Sequence, residues 1–122
     1  MGTARRRILV IDDEPLTVAM ATAVLRESHD VGGETDSAAA LDRILGEATF
    51  DVIVCDLMMP GLTGMDLYER VARERPGLEQ QFVFLTGGAY TERARSFLAS
   101  ISNRRLMKPL STATLESLFA GS

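Results

Sequence analysis

Three stretches of the chain, Ile8 to Ile11, Val52 to Cys55 and Phe82 to Leu85, are unbroken apolar runs, and a shorter fourth, Leu106-Met107, follows them. A half-exposed strand alternates apolar with polar residues. A strand covered on both faces does not, and that is the pattern of a parallel sheet. Helical spacing fills the intervals. Pro15 suits a first helical turn, and Asp12-Asp13-Glu14 before it complements the helix dipole. Leu16, Ala19, Met20, Ala23 and Val24 predict that helix's apolar face, with its end near Ser28-His29-Asp30. Val31 to Thr35 is expected as an edge strand, weakened by Gly32-Gly33. Asp36 or Ser37 caps a second helix with Ala40, Leu41, Ile44 and Leu45 inward, and Gly46 marks its end. Gly64 precedes a third, carrying Met65, Leu67, Tyr68, Val71 and Ala72 and stopped by Pro76-Gly77. Thr91 caps a fourth through about Leu98, and Ser111 or Thr112 a fifth, with Leu115, Leu118 and Phe119 inward. Strand followed by helix, five times over, predicts an α/β fold: a single five-stranded parallel sheet with right-handed crossovers and five helices on its two faces. At 122 residues this is one domain.

Each apolar run ends in a polar residue: Asp12-Asp13, Asp56, Thr86 and Lys108. In a parallel sheet those carboxyl ends share one edge, facing the crevice where such sheets bind ligands. Carboxylates crowded together repel and raise one another's pKa values, a difficulty that a hard divalent cation removes. An all-oxygen set suits Mg2+, which keeps several waters and takes few protein ligands. A metal, an ammonium and a hydroxyl around one carboxylate form a cradle for phosphoryl oxygens, since phosphoryl transfer depends on positioning and charge neutralisation. Asp56, at the end of the central run and followed by the turn Met59-Pro60-Gly61, is thus expected to attack phosphorus and become an aspartyl phosphate.

The net charge of −4 argues against nucleic-acid binding by the chain as a whole. Arg5-Arg6-Arg7 is a local exception, read as a solvated lead-in rather than a docking patch. One cysteine excludes an internal disulfide and fits a reducing, cytoplasmic setting. No run is long enough to span a membrane, and no apolar segment follows the basic start as in a signal peptide, so no membrane contact is expected.

Ile8-Leu9-Val10-Ile11-Asp12-Asp13-Glu14, Asp56-Leu57-Met58-Met59-Pro60-Gly61 with Gly64, Thr86, and Lys108-Pro109 resemble the receiver domain of two-component response regulators. The likeness runs from about Arg7 to Phe119, and the expected domain is 7–120, with tails 1–6 and 121–122. It implies a flavodoxin-like, doubly wound sheet of order 2-1-3-4-5. It implies that Asp56 is the phosphoacceptor and that Asp13, Asp56 and the backbone carbonyl of Met58 bind Mg2+ directly, with Asp12 acting through water. Thr86 matches a switch hydroxyl. Lys108 matches the partner of a phosphoryl oxygen, its bond to Pro109 commonly cis. The phosphoryl donor would be a histidine kinase or a histidine phosphotransfer domain. A homodimer through the fourth helix, last strand and last helix is also within the family's repertoire. Leu85 to Leu98, with Asn103, further resembles receivers appended to hybrid sensor histidine kinases. Met58 and Gly88 fall at two variable positions beside the phosphoryl site, and neither can orient a water through its side chain, so slow self-dephosphorylation is implied. With no output domain after Phe119, the chain reads as a stand-alone receiver or a piece of a larger protein.

One position departs from the pattern. Three residues before Lys108, where many receivers carry an aromatic that swings inward, stands Arg105. The switch is therefore expected to reside in Thr86 and Gly87-Gly88, with a weaker readout at the last strand. Two other functions are disfavoured. An Mg2+-dependent aspartate-nucleophile phosphatase needs a second aspartate two residues after the nucleophile, where Met58 stands. A flavodoxin-like cofactor binder needs a hydroxyl- and glycine-rich first loop, where Asp12-Asp13-Glu14 would repel phosphate. Cys55, turned from the site by the pleat, reads as a core thiol, and His29 as a surface residue at a helix end. Arg93, Arg95, Arg104 and Arg105 read equally as a solvated face or a docking surface.

Overall fold

All five expected strands join one parallel sheet in the order β2-β1-β3-β4-β5. The computed structural model describes residues 5–46, 49–88 and 90–119. Along the chain, β1 (Arg7–Ile11), α1 (Pro15–Leu25), β2 (Asp30–Glu34), α2 (Ser37–Gly46), β3 (Val52–Asp56) and α3 (Gly64–Glu74) come first. A 3-10 turn (Leu78–Gln81), β4 (Phe82–Thr86), α4 (Glu92–Ser100), β5 (Arg105–Met107) and α5 (Thr112–Ser117) follow. The strand order reverses at β1, so the crevice between β1 and β3 opens at their carboxyl ends.

Strand pleating divides the core into two layers. Leu9, Ile11, Ile53, Cys55, Phe82 and Phe84 pack on one face under α2, α3 and α4. Ile8, Val10, Val54, Leu85 and Leu106 point the other way, under Val18, Ala21 and Leu25 of α1 and Leu115 of α5. Every apolar residue of the β1 run is fully buried, as a strand covered on both faces requires.

Three expectations are corrected. The buried face of α1 is Val18, Ala21, Thr22 and Leu25; Leu16 is 78% exposed, and Ala19 and Ala23 are exposed too. Almost every position of this helix is apolar, so spacing alone could not select its inner face. The helix also stops at Leu25, short of Ser28 to Asp30, because Asp30 already pairs with Arg7 as the first residue of β2. His29 is only 4% exposed rather than a surface residue. Its Nδ1 accepts the Arg6 amide at 3.1 Å, and its ring lies 4.4 Å from that of Phe119.

The reading of Arg5-Arg6-Arg7 as a solvated lead-in holds for the exposed Arg5 and is corrected for Arg6 and Arg7, which are half-buried. Arg5 pairs with Asp30 at 2.8 Å, the Arg6 guanidinium sits 5.2 Å from the Phe119 ring centre, and the Arg7 amide donates to Asp51 at 2.8 Å. The segment fastens β1 to its neighbours. Gly33 has a packing role in β2: a Cβ there would lie 2.5 Å from Cγ1 of Val18, so the glycine lets α1 settle on the edge strand.

Candidate functional site

Asp12 and Asp13 follow β1 and Asp56 closes β3, so the central strands deliver three carboxylates to one edge. Their ligand oxygens lie within 4.8 Å of one another, with Asp12 and Asp56 buried and Asp13 exposed. The strand ends are fixed by backbone bonds. Leu57 donates to the Leu85 carbonyl at 3.0 Å and Lys108 to that of Thr86 at 2.8 Å.

The turn after Asp56 folds back tightly. Gly64 donates to the Leu57 carbonyl at 3.0 Å, and a Cβ at Gly64 would lie 2.5 Å from the Asp56 carbonyl oxygen. Only a residue without a side chain permits that approach. Thr63 then caps α3: its hydroxyl accepts the Asp66 amide at 3.1 Å, and Asp66 accepts the Thr63 amide at 2.9 Å. The motif Thr63-x-x-Asp66 was present in the sequence, but its acid is the shorter relative of the usual Glu or Gln.

Lys108 bridges two of the carboxylates. Its Nζ is 2.8 Å from Oδ2 of Asp12 and 3.3 Å from Oδ2 of Asp56. The shorter contact is an ion pair poorly directed as a hydrogen bond, so among the described residues Oδ2 of the fully buried Asp12 has no well-aligned donor. Oδ1 of Asp12 accepts the Glu14 amide at 2.9 Å, and Oδ1 of Asp56 the Met58 amide at 3.4 Å. Burial, reinforced by Asp12, pushes the Asp56 carboxyl up to about 6, against the pull of Lys108 and the Met58 amide. Burial alone would lower Lys108, but Asp12 and Asp56 hold its ammonium above the usual range.

Three carboxylates facing one ammonium leave two negative charges uncompensated. Together with the poorly satisfied Oδ2 of Asp12, this all-oxygen set fits a hard divalent cation. Beside it lies a pocket of about 230 Å3 whose walls include Asp56, Met58, Leu85, Thr86, Tyr90 and Lys108. Each site residue expected from the sequence thus stands at this edge. Met58 is 41% exposed at the mouth and Thr86 is buried. Tyr90 is the pocket residue that strand-end reasoning missed, since it comes from the loop before α4 rather than from a strand end.

The remaining candidates have other partners. Cys55 is buried in the core layer opposite Val54, its thiol pushed up by burial and by Asp56 and Asp12. Arg93 pairs with Asp66 at 2.9 Å and Glu69 at 3.5 Å, and Arg104 reaches the Ser117 hydroxyl at 3.4 Å. Arg105 donates to the carbonyls of Leu98, Ile101 and Asn103 at 3.2–3.3 Å. It therefore serves the carbonyls around the C-terminus of α4. Asn103 in turn bonds the Glu79 and Phe82 carbonyls, both at 3.0 Å. The Lys108-Pro109 bond is cis.

The family profile described as response regulator receiver domain matches residues 8–120. The DNA-binding response regulator MtrA of Mycolicibacterium smegmatis is 38% identical over 110 residues, which are 89% of this chain and 46% of that protein. The transcriptional regulatory protein TcrA of Mycobacterium tuberculosis is 34% identical over 116 residues, 93% of this chain and 43% of TcrA. The chain spans about half the length of these curated relatives. Among solved structures, the chemotaxis protein CheY4 of Vibrio cholerae superposes with a TM-score of 0.80 at 26% identity, covering 94% of this chain and 96% of that one. A response regulator receiver domain from Clostridium thermocellum gives 0.79 at 25% identity, over 93% and 90%.

Proposed function

Because this chain belongs to the response regulator receiver domain family, whose members are phosphoacceptor switches rather than turnover enzymes, we propose that Asp56 is the group phosphorylated. The observation that carries the assignment is the juxtaposition at Asp56. It is the carboxylate at the end of the central strand, inside an acidic cluster and 3.3 Å from a lysine ammonium. Oδ2 of Asp56 would form the new P–O bond as the bond from phosphorus to a donor imidazole nitrogen breaks, with the electron pair leaving on that nitrogen. Lys108 and the Thr86 hydroxyl would then meet phosphoryl oxygens.

Asp13, Asp56 and the Met58 carbonyl would hold Mg2+ directly, with Asp12 acting through water. The ion supplies charge neutralisation between the carboxylates and the incoming phosphoryl group. Receiver domains partner with histidine kinases; a kinase or a histidine phosphotransfer domain is the donor we assign, and the cytoplasm the setting. The receiver unit is taken as 7–120. A homodimer through α4, β5 and α5 is consistent with this reading, as is a hybrid sensor kinase as the parent protein.

Incubation with acetyl phosphate and Mg2+, followed by intact mass, tests the assignment. One phosphoryl group is expected on the wild type and none on Asp56→Ala. Equal labelling of the two would move the site elsewhere.

A further inference from the structure

The pocket at Asp56 has polar walls from Thr86 and Lys108 and apolar ones from Met58, Leu85 and Tyr90. Tyr90 differs from the rest in how it arrives: it is carried in after Gly87-Gly88 and immediately before the Thr91 cap of α4. Two contacts hold it there, and the cap of α4 follows directly. Its side chain packs on the larger core layer, its carbonyl accepts the Arg95 guanidinium at 3.4 Å, and the next hydroxyl, of Thr91, accepts the Ala94 amide at 3.1 Å.

An acyl phosphate on Asp56 is lost when water attacks phosphorus. A P–O bond to water forms, the P–Oδ bond breaks with its electron pair returning to the carboxylate, and the water's proton leaves with inorganic phosphate. Such a water needs room and a polar group to orient it. Tyr90 lines the same pocket as Asp56 and Met58, and the volume its side chain takes up in that wall is closed to such a water. We propose that Tyr90 is a positioning residue of the phosphoryl pocket, its ring excluding the attacking water and so lengthening the life of the phosphorylated state. The proposal rests on Asp56 being the phosphoacceptor.

The test uses the full chain, labelled with acetyl phosphate and Mg2+, freed of donor, and followed by intact mass over time. Tyr90→Ala is expected to lose its phosphoryl group about tenfold faster than the wild type. Tyr90→Phe, which keeps the ring, is expected to match the wild type. Equal lifetimes for wild type and Tyr90→Ala would overturn the proposal. If the wild type gained no phosphoryl group at all, the assignment of Asp56 would fall and this inference with it.

A second measurement does not depend on Tyr90→Ala folding. The chain has two tyrosines and no tryptophan, so Tyr68→Phe leaves Tyr90 as the sole reporter. The Tyr68 ring packs among Phe82, Phe84 and Phe97, where phenylalanine preserves the contacts. Phosphorylation should shield Tyr90 fluorescence from acrylamide, because the phosphoryl group fills the space beside the ring. Unchanged quenching would contradict the placement.

Discussion

Lys108 sits closer to Asp12 than to Asp56, at 2.8 Å against 3.3 Å. The lysine is thus shared between the fully buried carboxylate that follows β1 and the proposed phosphoacceptor of β3, and its shorter contact is to the former. Sequence position alone had paired it with Asp56.

This sharing makes Lys108→Ala a stability mutation as well as a functional one. Removing one partner of a buried ion pair leaves the other charge uncompensated. Lys108 is partly exposed, so the cost falls to about 1–3 kcal/mol. Adding Asp12→Asn to Lys108→Ala should recover most of it in chemical denaturation. An additive double mutant would show that the pair is not coupled.

Asp56 predicts the opposite sign. Its folded pKa of about 6 lies above the ordinary 3.8, so the native state binds the proton more tightly than the unfolded chain. Wild-type stability without metal therefore falls as pH rises from about 4 to 6 and stays reduced above that. Asp56→Asn should be more stable than the wild type by about 2–3 kcal/mol at pH 7 and lose that advantage below pH 4. Added Mg2+ should narrow the gap at pH 7 by stabilising only the wild type. Parallel pH profiles for the two proteins would refute the assignment of strain to this carboxylate.

Bare runs such as Ile8 to Ile11 admit one reading, a doubly covered strand, and their polar ends follow geometrically from parallel pairing. The site at the Asp12–Asp56 edge was legible for that reason. The inner face of α1 was not, because Pro15 to Leu25 offers apolar residues in every direction and only the sheet selects among them. Nor was the burial of His29, which depends on Phe119 arriving from the far end of the chain. Contacts made by tertiary assembly leave no local periodicity to read.

His29 supplies a pH effect remote from the carboxylates. Burial, with Arg6 and Arg5 adding to it, lowers its pKa from 6.5, while Asp30 opposes them. Neutral His29 accepts the Arg6 amide through Nδ1, an interaction that protonation removes. Its stabilising contribution is present above pH 6.5 and is lost as pH falls through the lower, folded value. Asp56 acts in the reverse sense over an overlapping window, so the measurement belongs in an Asp56→Asn background. There the wild-type histidine should lose stability on acidification below pH 6.5, while His29→Gln should not.

Gly64→Ala tests the turn that carries the site. Its Cβ would fall 2.5 Å from the Asp56 carbonyl and 3.0 Å from Leu57 Cα, both backbone atoms that cannot rotate aside. A loss of about 1–3 kcal/mol is expected, with slower labelling by acetyl phosphate because Asp56 itself must shift. Wild-type stability and labelling rate in this variant would mean that the turn relaxes without disturbing the strand end.

Arg105 decides how far a signal from Asp56 can travel through β5. Its guanidinium holds carbonyls at Leu98, Ile101 and Asn103, tying the end of α4 to the start of β5. An aromatic side chain could offer none of these bonds, so the residue acts as an anchor where an inward-swinging ring would act as a mover. Arg105→Ala should cost about 1 kcal/mol, since the Ile101 bond is exposed and the Leu98 and Asn103 bonds are only part-buried. It should also speed amide exchange near Ser100 to Asn103 while leaving Asp56 labelling unchanged. In the wild type, NMR shifts on phosphorylation should concentrate at Thr86 to Gly88 and the start of α4. Large shifts through Arg104 to Met107 would show that the anchor yields, and that the last strand takes part in the switch after all.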